Sequence, residues 1–67
     1  MAGRVDNRVQ FFRNKASVTQ ERLAEHVGVS RQTIIAIEKG NYTPSVLLAL
    51  RIAAYFKTSV EDVFSIV

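Results

Sequence analysis

The stretch TQERLAEHVGVSRQTIIAIEKG, residues 19–40, constrains the fold more than any other part of the chain. Its first half carries apolar residues at helical spacing, from Leu23 to Val27. Gly28 follows directly, at the point where a helix ends most easily in the left-handed conformation. Ser30 is a side chain that can cap the start of another helix. The stretch therefore predicts two short helices joined by a tight turn, which packs them steeply across each other.

The second of these helices has two unlike faces. Ile34 and Ile37 form its inner face, and at about 100° per residue a different set of residues lies on the opposite side. These are Gln32, Ile35, Ala36 and Lys39, with Arg31 flanking them. A merely solvated helix would more often show Glu and Lys pairs, whereas Arg and Gln form two hydrogen bonds with guanine and adenine in the major groove. An exposed, mixed polar face is the alternative, and the pattern favours DNA.

The sequence resembles the lambda-repressor-like family, also called Cro/CI or XRE. The residues that carry the resemblance are Thr19-Gln20-Glu21, Leu23-Ala24-Glu25, residues 27–34, Ile37-Glu38-Lys39-Gly40, Thr43-Pro44-Ser45, residues 49–53 and Glu61-Asp62-Val63-Phe64. The likeness spans nearly all of residues 7–64. It implies an all-α, compact five-helix domain with a helix-turn-helix at about residues 19–39, and it leaves room for a short extended tail at the C-terminus.

The resemblance also implies DNA-binding roles in and around the second helix. Arg31 and Gln32 are expected to read bases from the second helix, which is the recognition helix of the pair. Gln20 is expected to contact a phosphate and to brace the first residue of the recognition helix. Ile35 stands where relatives often carry a small or polar residue. It is expected to be exposed and to suit a thymine methyl group, with a merely tolerated surface position as the alternative. Ala36 is small enough to permit close approach. The expected DNA-binding residues are Gln20, Arg31, Gln32, Thr33, Ile35, Ala36, Lys39, Asn41 and Tyr42, of which the last three are phosphate contacts.

A first helix is predicted at about residues 8–15, with Asn7 as its cap. Arg13 falls on its inner side, although arginine is rarely buried unless it is paired. The resemblance implies an ion pair between Arg13 and Glu38, whose role would be to fix the recognition helix. Phe11 is expected to pack against the C-terminal helix, with a subunit contact as the alternative.

Two turns are expected to be strained, because Ser17 and Lys57 stand where the family often carries glycine. Ser45 is predicted to cap a fourth helix at about residues 46–56, and Ser59 a fifth at residues 60–64. The fourth helix is expected to contribute most of its apolar residues to the core, namely Val46, Leu48, Ala49, Ile52, Ala53 and Phe56.

Length and composition bound the remaining possibilities. The 67 residues make one small domain, residues 1–67, with no cysteine and one histidine, so neither a disulfide nor a metal centre is expected. The net charge of +3 lies entirely in residues 1–40, where seven Lys and Arg face four Asp and Glu. Such an excess suits a polyanionic partner. The absence of a signal sequence or a long apolar run predicts a cytoplasmic protein.

A core of this size gains stability from oligomerisation. We expect residues 1–6 to be a loose or extended arm and residues 59–67 to form a two-fold dimer interface. Its candidate residues are Leu50, Tyr55, Phe56, Phe64, Ile66 and Val67. A two-fold dimer would place its recognition helices about 34 Å apart on a palindromic site.

These observations favour a sequence-specific regulator of transcription that binds double-stranded DNA, as a homodimeric repressor. The alternative is an antitoxin or another protein-interaction module, for which the apolar tail would bind a partner protein. An enzyme is the poorest interpretation, because the sequence has no nucleophile–base set, no metal cluster and no glycine-rich phosphate loop. No cofactor is expected.

Overall fold

A computed structural model describes residues 3–67, which form five helices and a two-stranded sheet. In chain order these elements are β1 (Val5–Asn7), α1 (Val9–Lys15), α2 (Gln20–Val27), α3 (Arg31–Glu38), α4 (Val46–Tyr55), α5 (Val60–Val63) and β2 (Phe64–Ile66). The helical architecture agrees with the sequence prediction, and the small sheet at the termini is an addition to it. Met1 and Ala2, the start of the expected arm, lie outside the described residues.

Four helices, α2 to α5, begin at the hydroxyl residues expected to cap them, and Ser59 is the cap residue of α5. The side chains of Thr19, Ser30 and Ser45 each accept a hydrogen bond from the backbone N–H three residues later, at 3.0, 3.3 and 3.1 Å. Each bond satisfies a donor that the helix itself leaves unpaired, and such a cap typically contributes about 1 kcal/mol. The boundaries of α2, α3 and α4 are therefore set by local side-chain chemistry.

The first helix starts differently from the prediction. Arg8 occupies the capping position without a side-chain cap bond, and Asn7 acts from one residue upstream, accepting from the Val9 N–H at 3.2 Å. Phe11 is 49% exposed and lies edge-on to Phe12, with ring centroids 5.3 Å apart. The Arg8 guanidinium stands 4.5 Å from the Phe11 ring. The aromatic and cation contacts of the Phe11 ring are thus with Phe12 and Arg8, around the start of its own helix, and about half of the side chain stays exposed.

The core is built from the inner faces of all five helices. Its buried members are Val9, Leu23, Ala24, Val27, Ile34, Ile37, Leu48, Ile52, Ala53 and Val63. The expectation for Val46 was wrong, because this residue is 76% exposed. Val46 opens α4 and lies about a quarter turn from the middle of the buried face, so the neighbouring elements do not cover it.

The two ends of the chain pair as antiparallel strands. The register is Val5↔Ile66, Asp6↔Ser65 and Asn7↔Phe64. Residues 5–7 are therefore a paired strand and not a loose arm, and the fifth helix ends at Val63 because Phe64 already has extended backbone angles. Pairing satisfies backbone groups that a free arm would leave to water.

The short fifth helix is held by a cap of side chains. The hydroxyls of Thr58 and Ser59 donate to one carboxylate oxygen of Asp62 at 2.7 and 2.8 Å, and the Ser59 N–H donates to it at 3.4 Å. The bond from Thr58, followed by those from Ser59, lowers the pKa of Asp62 below its usual value. A depressed carboxyl pKa stabilises the fold above the ordinary titration range of aspartate, and this contribution disappears as the pH falls.

The longest helix within residues 3–67 is α4, with 10 residues. About 20 apolar residues are needed to cross a bilayer, and no helix of the described chain meets that requirement.

Both turns expected to be strained contain residues in the left-handed region. Ser17 has a φ of 57° and Lys57 a φ of 56°, while Gly28 adopts 79° at the end of α2. Any residue with a Cβ pays about 1–2 kcal/mol for this conformation. The chain therefore stores strain at the ends of α1 and α4 but avoids it inside the helix-turn-helix.

Replacing Ser17 or Lys57 by glycine is expected to raise the free energy of unfolding by about 0.5–1 kcal/mol each. Gly28→Ala is the opposing control: its Cβ would meet Arg51 Nη1 at an ordinary 3.6 Å, so only backbone strain opposes it. It should destabilise the chain by about 1–2 kcal/mol. Urea denaturation measures all three, and a less stable Ser17→Gly variant would contradict this account.

Candidate nucleic-acid interface

The α2–α3 pair has the geometry of a helix-turn-helix. Gly28 reverses the chain with a left-handed backbone, and its N–H donates to the Ala24 carbonyl at 2.9 Å. Only residues 28–30 separate the two helices, so α3 must cross α2 closely. Ile34 and Ile37 are fully buried, which fixes the face that α3 turns toward the core.

The opposite face of α3 is open to solvent. Arg31 and Gln32, the predicted base readers, are both exposed in the first turn of the helix. Thr33, Ile35 and Ala36 are half-buried along the same helix, so Ile35 is less exposed than the sequence predicted. The loop that follows exposes the predicted phosphate contacts Lys39, Asn41 and Tyr42. Within residues 3–67, no segment of the chain covers the start of α3.

An open depression of about 440 Å³ lies beside Arg31. It is lined by Arg13, Thr19, Gln20, Glu21 and Arg31, so it joins the start of α2 to the start of α3. Free backbone amides and the helix dipole favour an anion at each of these helix starts.

The end of α3 is held by a network around Glu38. Arg13 donates from Nε to Glu38 Oε2 at 2.8 Å and from Nη2 to Oε1 at 3.1 Å. The two side chains are only 12% and 6% exposed. Arg13 Nη1 also donates to the Val18 carbonyl at 3.0 Å, which ties in the turn before α2. The ion pair implied by the resemblance is therefore present and links α1, α2 and α3.

Gln20 has a different partner from the expected one. Its Nε2 donates to Glu38 Oε1 at 3.0 Å, so it braces the end of α3 rather than Arg31 at the start. Glu38 offers the Gln20 NH2 group a charged acceptor within reach, and a hydrogen bond to a charged group is stronger than one between neutral groups. An amide nitrogen has two hydrogens, and the second one is left for another acceptor such as a phosphate.

Sequence reasoning missed a second anchor on α3. Asn7 Nδ2 donates to the Ile37 carbonyl at 2.8 Å, across 30 residues of sequence. Asn7 was expected only to cap α1. The weak signal in the sequence is the residue type itself, because asparagine combines a cap acceptor with a donor that serine, threonine and aspartate place differently or lack.

The six residues predicted to form the dimer interface fall into two groups. Leu50, Ile66 and Val67 are 52%, 84% and 59% exposed. Tyr55, Phe56 and Phe64 pack against the core instead. Two aromatic contacts account for part of this: the Tyr55 ring lies 4.9 Å from the exposed His26, and the Phe56 ring lies 5.7 Å from Phe12.

Comparison with known proteins identifies the family to which these helices belong. The family model described as "Helix-turn-helix" matches residues 9–63. The chain belongs to the Cro/CI (XRE) helix-turn-helix family. An uncharacterised HTH-type transcriptional regulator of Methanocaldococcus jannaschii is 53% identical over 58 residues, which are 87% of this chain and 88% of that protein. The uncharacterised regulator YgzD of Bacillus subtilis is similar to the same extent, 53% over 58 residues with the same two coverages.

Among solved structures, the clp gene regulator ClgR of Corynebacterium glutamicum superposes with a TM-score of 0.76 at 30% identity. The match covers 81% of this chain and 57% of ClgR, so this chain spans little more than half of that protein. The XRE family and these relatives are regulators and not enzymes. This chain is therefore a transcriptional regulator with a helix-turn-helix DNA-binding domain.

Removing one partner of the Arg13–Glu38 pair is expected to cost far more than removing both. Arg13→Met leaves the nearly buried Glu38 carboxylate without its cation, which should lower the free energy of unfolding by about 3–5 kcal/mol. The double variant Arg13→Met/Glu38→Leu should recover most of that loss, because no buried charge remains. Thermal and urea unfolding of the single and double variants measure the difference, and equal losses in both would refute it.

Proposed function

We propose that this XRE-family regulator is a cytoplasmic, homodimeric repressor that reads a palindromic operator through the major groove. The observation that carries the proposal is the state of α3: its first turn exposes Arg31 and Gln32, while its last turn is clamped through Glu38. A helix held at one end and exposed at the other can enter a groove without rearranging the protein. That pre-organisation reduces the ordering that binding requires.

The proposed contacts divide between base reading and backbone positioning. Arg31 and Gln32 carry the donors and acceptors that match guanine and adenine edges, and half-buried Ile35 suits a thymine methyl group. Lys39, Asn41 and Tyr42 follow α3 and would contact phosphates, which fix the register of the protein on the duplex. The net charge of +3 supports attraction to DNA but carries no sequence information.

Two single substitutions test this division of roles. Gln32→Ala should cost about 1–3 kcal/mol on the preferred site and relax specificity at one base pair. Lys39→Ala should weaken binding to all sequences alike and flatten the dependence of log K on log salt, because one phosphate contact is lost. Affinities on a site selected from random DNA and on unrelated DNA, each measured at several salt concentrations, check both. Equal losses on both kinds of DNA for both variants would disprove the division.

Exposed apolar side chains support the dimer. Val46, Leu47 and Leu50 on α4 are 76%, 59% and 52% exposed, and Ile66 and Val67 add a second apolar group at the C-terminal strand. Residues 3–67 bury ten apolar side chains, which is a small core, and small domains are often stabilised by a second copy. Two copies around a two-fold axis would present their α3 helices to successive major grooves, about 34 Å apart.

Charged substitutions test the dimer and locate its interface. Leu50→Glu and Ile66→Glu are each expected to shift the chain from dimer to monomer and to weaken operator binding, because the interface would bury an unpaired carboxylate. Gln10→Glu adds the same charge at an exposed position on α1 and should change neither property. Sedimentation at micromolar concentration, with and without DNA, gives the assembly state. A wild-type monomer under both conditions rules the dimer out.

The same apolar residues support the alternative function. Ile66 is 84% exposed beside Val67, which suits binding to an unlike protein, as an antitoxin does, as well as to a second copy. Purification of the untagged chain from its native cell discriminates between them. A stoichiometric unlike partner would favour the antitoxin, and recovery of the homodimer alone would favour the repressor.

A further inference from the structure

We propose that Asn7 is a positioning residue for DNA binding, an inference that rests on the regulator function above. Its side chain makes two hydrogen bonds in different directions. Oδ1 accepts from the Val9 N–H at 3.2 Å, at the start of α1, and Nδ2 donates to the Ile37 carbonyl at 2.8 Å, in the last turn of α3. Asn7 also ends β1, opposite Phe64 of β2. One half-buried amide thereby joins the terminal sheet, the first helix and the recognition helix.

The Ile37 carbonyl is placed where α3 passes into the loop. It accepts a second hydrogen bond from the Gly40 N–H at 2.9 Å, and Gly40 reverses the chain with a φ of 79°. The Asn41 N–H closes the same turn on the Ala36 carbonyl at 2.9 Å. The Asn7 bond therefore holds the turn from which Lys39, Asn41 and Tyr42 reach toward phosphates.

The bond from Asn7 to Ile37 complements the ion pair at Glu38, the next residue of α3. Arg13 and Gln20 hold the Glu38 side chain, whereas Asn7 holds the backbone one residue earlier, from the opposite end of α1. Two anchors on adjacent residues fix both the position and the tilt of a short helix. An eight-residue helix is about 12 Å long, so a tilt at its last turn displaces Arg31 and Gln32 at its first.

A simple capping role makes a different prediction from a positioning role. Asn7→Ser keeps an oxygen that can accept from the Val9 N–H two residues later, because a serine hydroxyl forms the same kind of turn as an asparagine amide, although more weakly. The serine hydroxyl is too short to reach Ile37, so this variant removes the bridge and retains the cap. Ser45→Ala is the matched control, because it removes a helix cap that has no bond to α3.

The test combines DNA binding with amide hydrogen exchange at a temperature where every variant is folded. Asn7→Ser should raise the Kd for a DNA site selected by the wild type by about three- to tenfold. It should raise the Kd for unrelated DNA by a smaller factor than the Kd for the selected site, since the phosphate contacts are loosened while the positive charge is unaltered. In the free protein, the amides of Gly40 and Asn41 should exchange faster, while the amides of α2 stay unchanged. Ser45→Ala should show neither local effect.

Several results would overturn the inference. Wild-type affinity of Asn7→Ser for the selected site would do so, as would weaker binding without faster exchange at Gly40 and Asn41. Equal weakening by Ser45→Ala would show that lost stability, and not the bridge, is responsible. If the wild type selects no DNA sequence at all, the proposed function fails and this role fails with it. If the wild type selects a DNA sequence and Asn7→Ser binds that sequence with wild-type affinity, only the proposed role of Asn7 is disproved.

Discussion

The orientation of the recognition helix depends on the ion pair between Arg13 and Glu38. Both side chains are almost wholly removed from water, and both oxygens of Glu38 accept hydrogen bonds from Arg13, with Gln20 adding a third bond. A buried pair of this kind contributes little net stability, because desolvation offsets the attraction between the charges. Its structural effect is geometric: the last turn of α3 has one favourable position against α1, and the first turn is left exposed.

The parts of the fold that follow from local chemistry could be predicted from the sequence. Thr19, Ser30 and Ser45 cap helices through bonds that span three residues, and Gly28 ends α2 through its own backbone freedom. The terminal sheet could not be predicted in the same way. Its strands are separated by the whole domain, and they pair only because α1 and α5 bring the two ends together. The exposure of Val46 likewise depends on where neighbouring helices stop.

In the candidate site, too, local features could be predicted from the sequence and long-range contacts could not. The residue types on α3 predict which side chains face outward, because the period of a helix fixes its faces. The partners of Gln20 and Asn7 lie 18 and 30 residues away in sequence. An amide side chain can donate to any acceptor within reach, so its partner is decided by packing and not by pattern. The pairing of Arg13 with Glu38 was predicted from the family resemblance, because no local sequence rule pairs these two residues.

Folding and DNA reading are closely joined in so small a chain. Ile34 and Ile37 of α3 belong to the buried core, while Arg31 and Gln32 on the same eight-residue helix face outward. A change that loosens the core would therefore also loosen the geometry of the proposed base reading. An eight-residue helix is only about 12 Å long and contacts few base edges. If α3 reads bases as proposed, contacts from one copy would be too few to select a single operator among many competing genomic sites, since each mismatched base pair costs only about 1–3 kcal/mol. A second copy doubles the base pairs that are read, and the exposed residues of α4 and β2 are the surfaces on which it would form.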